Sequence, residues 1–332
     1  MSGLSDAAIR RLRDAADAPD LSGTKYEIIE RVGQGGMGTV YRARDRELAR
    51  DVALKVIRLP EMSHDVASRM LREARTLAQL EHPGIVPVHD VGTLADGRAF
   101  YAMKLVRGSP LDALPASPLI ERLAIVERIC EAVAFAHAHG VIHRDLKPQN
   151  VMVGPFGEVL VMDWGVAKLT AAPDSLGVDA AVVAADGTSP TTGHGVVLGT
   201  PGYMAPEQAT GDHHLIDARA DVYAIGGILR DLVRCTGDRA DNPDSDKSAR
   251  APSRPLQAII DRAMAAQPEH RYADVMALSR DVAAFRAGEP VTAYRENMFE
   301  RIRRFALRHS TPILLVLAYL IMRLAFLAVV GR

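Results

Sequence analysis

Five short motifs in one fixed order constrain this chain more than any other feature of its sequence. Residues 33–40 read GQGGMGTV, with the spacing Gly-x-Gly-x-x-Gly between two strand-like runs. Residues 141–153 read VIHRDLKPQNVMV, and MDWG follows at 162–165. GTPGYMAPE occupies 199–207, and DVYAIG occupies 221–226. One such motif could arise by chance, but their occurrence together in this order is not plausibly accidental.

The pattern of apolar residues divides the chain into five segments. With 332 residues, 48% of them apolar, the chain is long for one ordinary domain and has ample material for two lobes. Strand-like runs separated by turns predict a small β-rich lobe, and amphipathic runs predict a larger helical lobe. The predicted segments are a flexible leader at 1–24, the β-rich lobe at 25–106, the helical lobe at 107–290, a basic linker at 291–311 and an apolar tail at 312–331.

Composition argues against several classes of protein. Forty basic and 41 acidic side chains give a formal net charge of −1, so bulk charge does not favour a nucleic-acid partner, and we expect none. The two cysteines, Cys130 and Cys235, are far apart and show no CxxC spacing. A disulfide framework and a structural zinc site are therefore disfavoured, and a reducing cytosol fits.

The glycine-rich run and the lysine that follows it form a candidate phosphate site. Because a strand rather than a helix follows the run, it predicts a flap over phosphates instead of a dinucleotide fingerprint. Glycines let backbone N–H groups approach phosphate oxygens without a side-chain clash. Lys55 stands within an apolar strand, and Glu73 on the predicted helix 65–81 could pair with it. A glycine hairpin and an edge-strand lysine are the plain structural alternatives.

In these motifs the sequence resembles the protein kinase family, and in detail the bacterial eukaryotic-like serine/threonine kinases. The resemblance covers residues 25–290 and implies the bilobal α+β kinase fold. It also implies ATP and Mg²⁺ as cofactors and proteins as substrates. The implied reaction is transfer of the ATP γ-phosphoryl group to serine or threonine hydroxyls, including those of the kinase itself. Lys147, two residues after Asp145, matches the serine/threonine form of this loop.

The resemblance implies four catalytic residues. Asp145 would accept the hydroxyl proton or orient the substrate oxygen, and Lys147 would neutralise charge on the γ-phosphate. Lys55, paired with Glu73, would hold the α- and β-phosphates. The reaction needs these residue types, because fixed cations stabilise developing phosphoryl charge and a carboxylate must face the nucleophile.

The resemblance also implies which residues hold the nucleotide and its metal. Mg²⁺ would bind to Asn150 and Asp163, since a hard cation takes oxygen ligands. The phosphates would lie under the glycine-rich residues Gly33, Gln34, Gly35, Gly36 and Gly38. The adenine would contact the apolar residues Val40, Ala53, Met152 and Met162, the gatekeeper Met103, and the backbone of Lys104 and Val106. Ordinary core packing is an equally valid description of each apolar member.

Two further matches carry structural roles. The resemblance implies that Asp221 braces the catalytic loop. It also implies that Glu207 forms a buried ion pair with Arg271. Neither residue would touch the reacting atoms.

Three features depart from the usual family pattern. Trp164 stands where the family usually has phenylalanine, although Asp163 beside it is unchanged. The loop between Gly165 and Gly199 is longer than usual and, with the position just after it, offers the hydroxyl residues Thr188, Ser189, Thr191, Thr192 and Thr200. The segment 234–254 is shorter than usual, which puts the mode of protein-substrate recognition in doubt.

Two alternatives to an active protein kinase fit the same fold. A pseudokinase scaffold would bind nucleotide and transfer nothing, although every residue needed for transfer is present. A small-molecule kinase of the kind that phosphorylates aminoglycosides or choline is the second alternative. The complete GYMAPE segment at 202–207 argues against it, because that segment belongs to the peptide-binding kinases.

The apolar run at 313–330 predicts a membrane anchor. Its 18 residues carry one charge, Arg323, and at about 1.5 Å per residue they span roughly 27 Å. The Leu, Ile, Val and Phe residues favour insertion by about 5 kcal/mol, against a cost of about 3 kcal/mol for the arginine. We therefore predict a single-pass helix at 312–331 in the plasma membrane or cell inner membrane.

Charge around the predicted anchor sets its orientation. Four arginines stand between positions 301 and 308, against Arg332 on the other side. The positive-inside rule then places the kinase lobes in the cytoplasm. A buried helix or an oligomerising hairpin is the alternative, and a homodimer that pairs Arg323 with another copy stays open.

Overall fold

The computed structural model describes residues 19–35, 38–57, 78–115, 117–164, 168–169, 202–209, 216–234 and 252–308, with residues 315, 318–319 and 322–323. Several predictions fall outside these residues: Gly36, residues 65–77 of the predicted helix 65–81 with Glu73, the hydroxyl residues of the long loop, and the short segment after 234. Of the four described residues of that predicted helix, Ala78 is helical and 79–81 are not.

A five-stranded antiparallel sheet forms the β-rich lobe. Its strands are β1 (Tyr26–Gly35), β2 (Gly38–Asp45), β3 (Arg50–Ile57), β4 (Val88–Thr93) and β5 (Ala99–Lys104). They lie in the order β1-β2-β3-β5-β4, with every neighbouring pair antiparallel. The order places β3 at the centre of the sheet.

The alternation of side chains along β3 decides which residues face the second lobe. Val52, Leu54 and Val56 belong to the apolar core of the β-rich lobe itself. Ala53 packs instead with Leu160 of the second lobe. Because successive side chains of a strand point to opposite faces, Lys55 shares the face of Ala53. The sheet thus presents Lys55 to the cleft between the lobes.

Six helices are described in the second lobe and beyond it. They are α1 (Leu119–Ala138), α2 (Pro206–Ala209), α3 (Arg219–Arg234), α4 (Arg254–Ala263), α5 (Val275–Arg286) and α6 (Met298–Arg308). Helix α1 packs against α3 and α5 around one large apolar core. Gly140, with φ +73°, ends the predicted helix 119–139. The region 255–287 divides into two helices, with a 3-10 turn at Pro268–His270 between them.

Short strands frame the loops that carry the catalytic motifs. They are β6 (Ser109–Pro110), β7 (Val141–Ile142), β8 (Val151–Val153), β9 (Val159–Val161) and β10 (Lys168–Leu169). They form the sheets β6-β8-β9 and β10-β7. The loop 143–150 therefore runs from β7 into β8, and Asp163 is the second residue after β9.

The two lobes meet along the segment 84–86. The backbone N–H of Val161 donates to the carbonyl of Gly84 at 2.8 Å, and that of Val86 donates to the Val161 carbonyl at 3.3 Å. These bonds fix β9 of the helical lobe against the β-rich lobe. The predicted bilobal α+β architecture is confirmed.

The predicted membrane tail lies almost wholly outside the described residues. Helical backbone is described there only at Leu315, Ala318, Tyr319, Met322 and Arg323. Among the described helices, none combines the length and the apolar character needed to cross a membrane. The predicted basic linker 291–311 contains the helix α6.

Candidate active site

The loop between β7 and β8 brings three of the predicted site residues together. Lys147 Nζ lies 2.8 Å from Asp145 Oδ2. The Asn150 amide nitrogen donates to the Asp145 carbonyl at 2.8 Å and to Asp145 Oδ2 at 3.2 Å. Since these bonds use the amide nitrogen, the amide oxygen of Asn150 is turned away from Asp145. The loop therefore presents one carboxylate, one ammonium and one amide oxygen within a few residues.

Asp221, the third residue of α3, holds the loop 143–150 in place by hydrogen bonds. Its fully buried carboxylate accepts from the backbone N–H groups of His143 and Arg144, each at 2.9 Å, and from His137 Nε2 at 2.8 Å. Arg144 has φ +67°, an unusual backbone conformation that these bonds help to hold. The predicted bracing role of Asp221 is confirmed.

The protonation of Asp221 follows from the same contacts. Burial on its own raises the pKa of a carboxyl group. The hydrogen bond and charge of His137, together with His143, outweigh burial and hold the pKa of Asp221 below its ordinary value. The brace is therefore a charged carboxylate.

His143 connects the catalytic loop to the residues after β9. Its Nδ1 accepts from the Asp145 N–H at 3.3 Å, and its Nε2 lies 2.9 Å from the Met162 carbonyl. Because a carbonyl oxygen only accepts, Nε2 carries the proton. The imidazole thus relates the position of Asp145 to the backbone that precedes Asp163.

The Trp164 side chain packs against the imidazole of His143. Its ring centroid lies 4.6 Å from that of His143, and its Nε1 donates to the Val161 carbonyl at 3.2 Å. The side chain is only 4% exposed. Phenylalanine, the usual family residue, has no donor for this bond. The preceding residue, Asp163, has φ +60°, so the indole is anchored beside a strained turn.

Lys55 and Asp163 form an ion pair across the cleft. The lysine side chain is 10% exposed and the aspartate side chain 47% exposed. Burial favours the neutral amine, but the interactions with Tyr101 and with the Asp163 carboxylate outweigh it and raise the pKa of Lys55 above its ordinary value. Lys55 is charged, as phosphate binding requires. Its predicted partner Glu73 lies outside the described residues, so that pairing stays a prediction.

The predicted adenine contacts lie in one apolar cluster between the lobes. Its buried members include Ala53 and Met103, and its partly buried members include Val40, Val106, Met152 and Met162. The Lys104 N–H donates to the Pro87 carbonyl at 3.1 Å, so a bond from Lys104 to an adenine edge would use its carbonyl. The cluster draws on both lobes, as a wall around a planar ring requires.

The hairpin of β1 and β2 contributes Val40 to this cluster. Gly38 of the hairpin must be a glycine, because its backbone lies close to that of β3. A Cβ on Gly38, which has φ +158°, would stand 2.4 Å from the Val56 carbonyl oxygen. A Cβ on Gly33 would meet no atom within 4 Å. Gly38 therefore allows β2 to pack closely against β3, whereas the space next to the Gly33 Cα is open.

The oxygen ligands at the cleft fit a hard divalent cation. Asn150 offers an amide oxygen and Asp163 a carboxylate, and both are ligand types that Mg²⁺ accepts. Within the described ranges, no group of three or more His, Cys, Asp or Glu side chains could enclose a metal ion. A site with two protein ligands suits Mg²⁺ that is shared with phosphates, because this ion is seldom held by an all-protein cage.

Comparison with protein families decides the identity. The model of the protein kinase domain matches residues 26–281, well over half of the chain. The chain belongs to the protein kinase family. The match starts at the first residue of β1 and ends within α5, so it reaches into both lobes of the chain.

The curated relatives of this chain include bacterial serine/threonine kinases. The DNA damage-responsive serine/threonine-protein kinase RqkA of Deinococcus radiodurans is 43% identical over 234 residues, or 68% of this chain and 31% of RqkA. Serine/threonine-protein kinase PknB of Mycobacterium tuberculosis is 35% identical over 292 residues, or 81% of this chain and 44% of PknB. The chain thus spans less than half the length of either relative. The predicted resemblance is confirmed.

A solved structure shares the fold of this chain. The crystal structure of the Mycobacterium tuberculosis PknI kinase domain superposes with a TM-score of 0.57 at 28% identity. The superposition covers 80% of this chain and 98% of that domain. The likeness thus extends over nearly the whole of that kinase domain.

A buried ion pair supports the segment after the long loop. Arg271 binds Glu207 through two parallel bonds of 2.6 and 2.7 Å, and the two side chains are 0% and 9% exposed. Arg271 also donates to the carbonyls of Ala265, Arg219 and Ala266. The pairing predicted for Glu207 and Arg271 is confirmed, and it ties α2 to the loop before α5.

Three contributors to the site were missed in the sequence. His137 donates to Asp221, Tyr101 lies with its ring centroid 5.8 Å from Lys55 Nζ, and Gln208 bridges the Ala205 N–H and the Arg144 carbonyl. A signal existed for Tyr101 alone, because the register of adjacent strands places it opposite Lys55. Nothing in the sequence separates His137 from other histidines.

Proposed function

We propose that this chain is an ATP-dependent protein-serine/threonine kinase that uses Mg²⁺ and also phosphorylates itself. The observation that supports this most is the connection between two groups of charged side chains. Asp145, Lys147 and Asn150 lie on one loop, and Lys55 and Asp163 form an ion pair beside the apolar cluster. His143 joins the two groups, because it bonds to the Asp145 N–H and to the carbonyl of Met162, the residue before Asp163.

Each residue has a distinct task in this proposal. The Asp145 carboxylate accepts the hydrogen of the incoming hydroxyl and holds its oxygen toward the phosphorus. Lys147, 2.8 Å from that carboxylate, offsets negative charge on the transferred group. Lys55 holds the α- and β-phosphate oxygens under the β1–β2 hairpin. The apolar cluster excludes water from the adenine and fixes the register of the nucleotide.

Asn150 and Asp163 would hold Mg²⁺ by their oxygens. When bound, the cation neutralises and orients the phosphate oxygens. The ion pair of Lys55 with Asp163 keeps both side chains at the cleft in the structure described here.

Removal of the base and of the metal ligand tests the proposal. Asp145→Asn should lower transfer to a generic basic protein by about 10³-fold while ATP binding stays nearly intact. Asp163→Asn should weaken binding of the metal–nucleotide complex itself. Asp96→Asn is the matched control, because Asp96 lies in an exposed turn of the β-rich lobe, where its carboxylate bonds to Arg98.

The two alternative functions predict other results. A pseudokinase scaffold would bind ATP without detectable autophosphorylation or transfer to protein. A small-molecule kinase would transfer phosphate to an aminoglycoside or choline and leave proteins unmodified. Either result would contradict the proposal, and labelled ATP with mass spectrometry of the products separates all three.

We further propose that phosphorylation of the long loop regulates the kinase. Arg144 precedes the base, and its Nε is buried without a hydrogen-bond partner among the described residues. Burial lowers the pKa of this guanidinium in spite of the nearby Asp221 charge, so an anion beside Arg144 would be favourable. The candidates Thr188, Ser189, Thr191 and Thr192 lie outside the described residues. Alanine at all four should reduce activity, and unchanged activity would contradict this mechanism.

We also propose that residues 312–331 anchor the kinase as a single-pass membrane helix, with the lobes in the cytoplasm. The 18 apolar residues and the preceding arginines support this. So do the large exposed side chains of Leu315, Tyr319 and Met322, which water would solvate poorly. Release of the full-length chain by carbonate extraction of membranes would contradict it.

A further inference from the structure

Helix α6 exposes three large apolar side chains near its N-terminal end. Met298, Phe299 and Ile302 are 76%, 84% and 60% exposed. At about 100° per residue they fall within one arc of about 100° on the helix surface. We call these three residues the apolar arc. An amphipathic helix of a globular protein normally turns such an arc into the core, so its orientation here requires an explanation.

The N-terminal end of α6 is held in this orientation by specific bonds. Glu300 N–H donates to Asn297 Oδ1 at 2.9 Å, and Asn297 N–H donates to Glu300 Oε2 at 3.0 Å, which forms a reciprocal capping box. Tyr294 Oη donates to the same carboxylate at 3.0 Å, and Arg304 pairs with Glu296 at 2.5 Å. Glu300 and Arg304 lie opposite the apolar arc, so these bonds turn the arc outward.

The segment before α6 is fixed to the helical lobe. The buried carboxylate of Asp281 accepts from Thr292 N–H at 2.7 Å, Thr292 Oγ1 at 2.8 Å and Ala293 N–H at 2.9 Å. Val291 is buried in the main core, and Tyr294 packs against that core. The outward arc is therefore part of the folded kinase and has a fixed direction relative to the lobe.

The charge of α6 indicates the kind of surface that covers the arc. Its sequence MFERIRRFALR contains four arginines and one glutamate, a formal charge of +3. Arg301, exposed, borders the arc. A cationic helix with bulky apolar residues on one side is suited to the headgroup region of an anionic bilayer. A second copy of the chain would bring two helices of charge +3 together, which like-charge repulsion disfavours.

We propose that α6 lies in the plane of an anionic membrane surface, with Met298, Phe299 and Ile302 inserted among the lipids, and so sets the orientation of the kinase lobes. This inference rests on the proposed membrane location of the chain, but not on its kinase activity. It differs from anchoring alone, because an anchor would leave α6 free in water.

A tryptophan at Phe299 tests the position of the arc. The full-length Phe299→Trp chain is reconstituted into vesicles that contain bromine-labelled lipid, either neutral phosphatidylcholine or a mixture with phosphatidylglycerol. In the mixture the new tryptophan should lose about half of its emission, and clearly less in the neutral vesicles. The unsubstituted chain gives the baseline of the buried Trp164. Phe156→Trp is the matched control, because Phe156 is 94% exposed on the β8–β9 turn and should stay unquenched.

Four results would overturn the proposal. If the chain floats with the vesicles but the new tryptophan is not quenched, the chain is membrane-bound and α6 lies in water. Equal quenching in neutral and anionic vesicles would show insertion without recognition of anionic headgroups. A blue shift that grows with protein concentration, without quenching, would place a second copy over the arc. A chain that does not float with either vesicle excludes a membrane role altogether. Autophosphorylation measured in the same samples reports the kinase proposal separately.

Discussion

Replacement of Asp221 by asparagine tests how the catalytic loop is held in place. Asp221 Oδ2 accepts from His137 and from the His143 N–H, and Oδ1 accepts from the Arg144 N–H. Asparagine keeps one acceptor oxygen, but its amide NH₂ would face one or more of these three donors and could not accept from them. At least one hydrogen bond to a charged group is therefore lost, and a buried donor is left unsatisfied.

The size of the effect follows from these contacts. A hydrogen bond to a charged group contributes about 1.5–3 kcal/mol, and an unsatisfied buried donor costs about 1–3 kcal/mol. We expect Asp221→Asn to lower the free energy of unfolding by about 3–5 kcal/mol. Because Arg144 adjoins Asp145, the base should also be displaced. A displacement on the order of 1 Å would lower kcat by about 10²-fold with a much smaller change in the KM for ATP.

The difference in free energy of unfolding between wild type and Asp221→Asn should depend on pH. The pKa of Asp221 is lower in the folded chain than its ordinary value. The charge of Asp221 therefore stabilises the fold fully above the unfolded pKa of about 4, and this contribution is lost as the pH falls through the folded pKa. The gap between wild type and Asp221→Asn should be constant above about pH 5 and narrow as the pH falls below about 4.

Thermal unfolding by circular dichroism and phosphate transfer from labelled ATP check this prediction. Asp261→Asn is the control, because Asp261 is exposed on α4 and bonds to Gln257, so its stability should change by no more than about 0.5 kcal/mol. If Asp221→Asn unfolds and turns over like the control, the three bonds do not hold the catalytic loop and the reasoning fails.

Three further changes test other parts of the structure. Arg271→Met leaves Glu207 as an unpaired buried charge, so thermal unfolding should show a loss of about 3–5 kcal/mol in the free energy of unfolding. The double variant with Glu207→Gln should recover part of this loss. No loss in the single variant would contradict the prediction. Trp164→Phe removes the bond to the Val161 carbonyl, worth about 1 kcal/mol, so half-maximal activity should need several-fold more Mg²⁺; an unchanged Mg²⁺ profile would show that the bond does not position the metal ligand. Arg323→Leu removes a cost of about 3 kcal/mol for membrane insertion, so carbonate should extract less of the chain; greater extraction would mean that the arginine has a partner in the bilayer.

The structure brings together the parts of the predicted site that are contiguous in sequence. Asp145, Lys147 and Asn150 lie within six residues, and the local turn that joins them is encoded in the same stretch. The position of Lys55 on the cleft side of β3 also follows from simple alternation of side chains along a strand. In both cases the information is local, and sequence patterns report local structure.

Contacts between distant residues could not be predicted in this way. His137 meets a carboxylate 84 positions later, and no pattern says which of 41 acidic side chains a given histidine will reach. The prediction of a basic linker before the tail described its charge but not its structure. The outward direction of α6 depends on the bonds of Glu300 and Asp281 to their neighbours, and these exist only once the lobe has folded.

The ion pair between Lys55 and Asp163 has a consequence for how the proposed cation and nucleotide would affect each other's binding. Each of these side chains is the counter-ion of the other. If the phosphates of a free nucleotide drew Lys55 away, the Asp163 carboxylate would be left facing their negative charge. If a cation alone engaged Asp163, a largely buried ammonium would lose its partner. Either component alone would therefore leave one of the two side chains without a counter-ion, whereas the cation and the nucleotide together would supply one to each. In the proposed kinase the affinity for each component should thus rise in the presence of the other, by the same factor, so that the cleft favours the metal–nucleotide complex over either component.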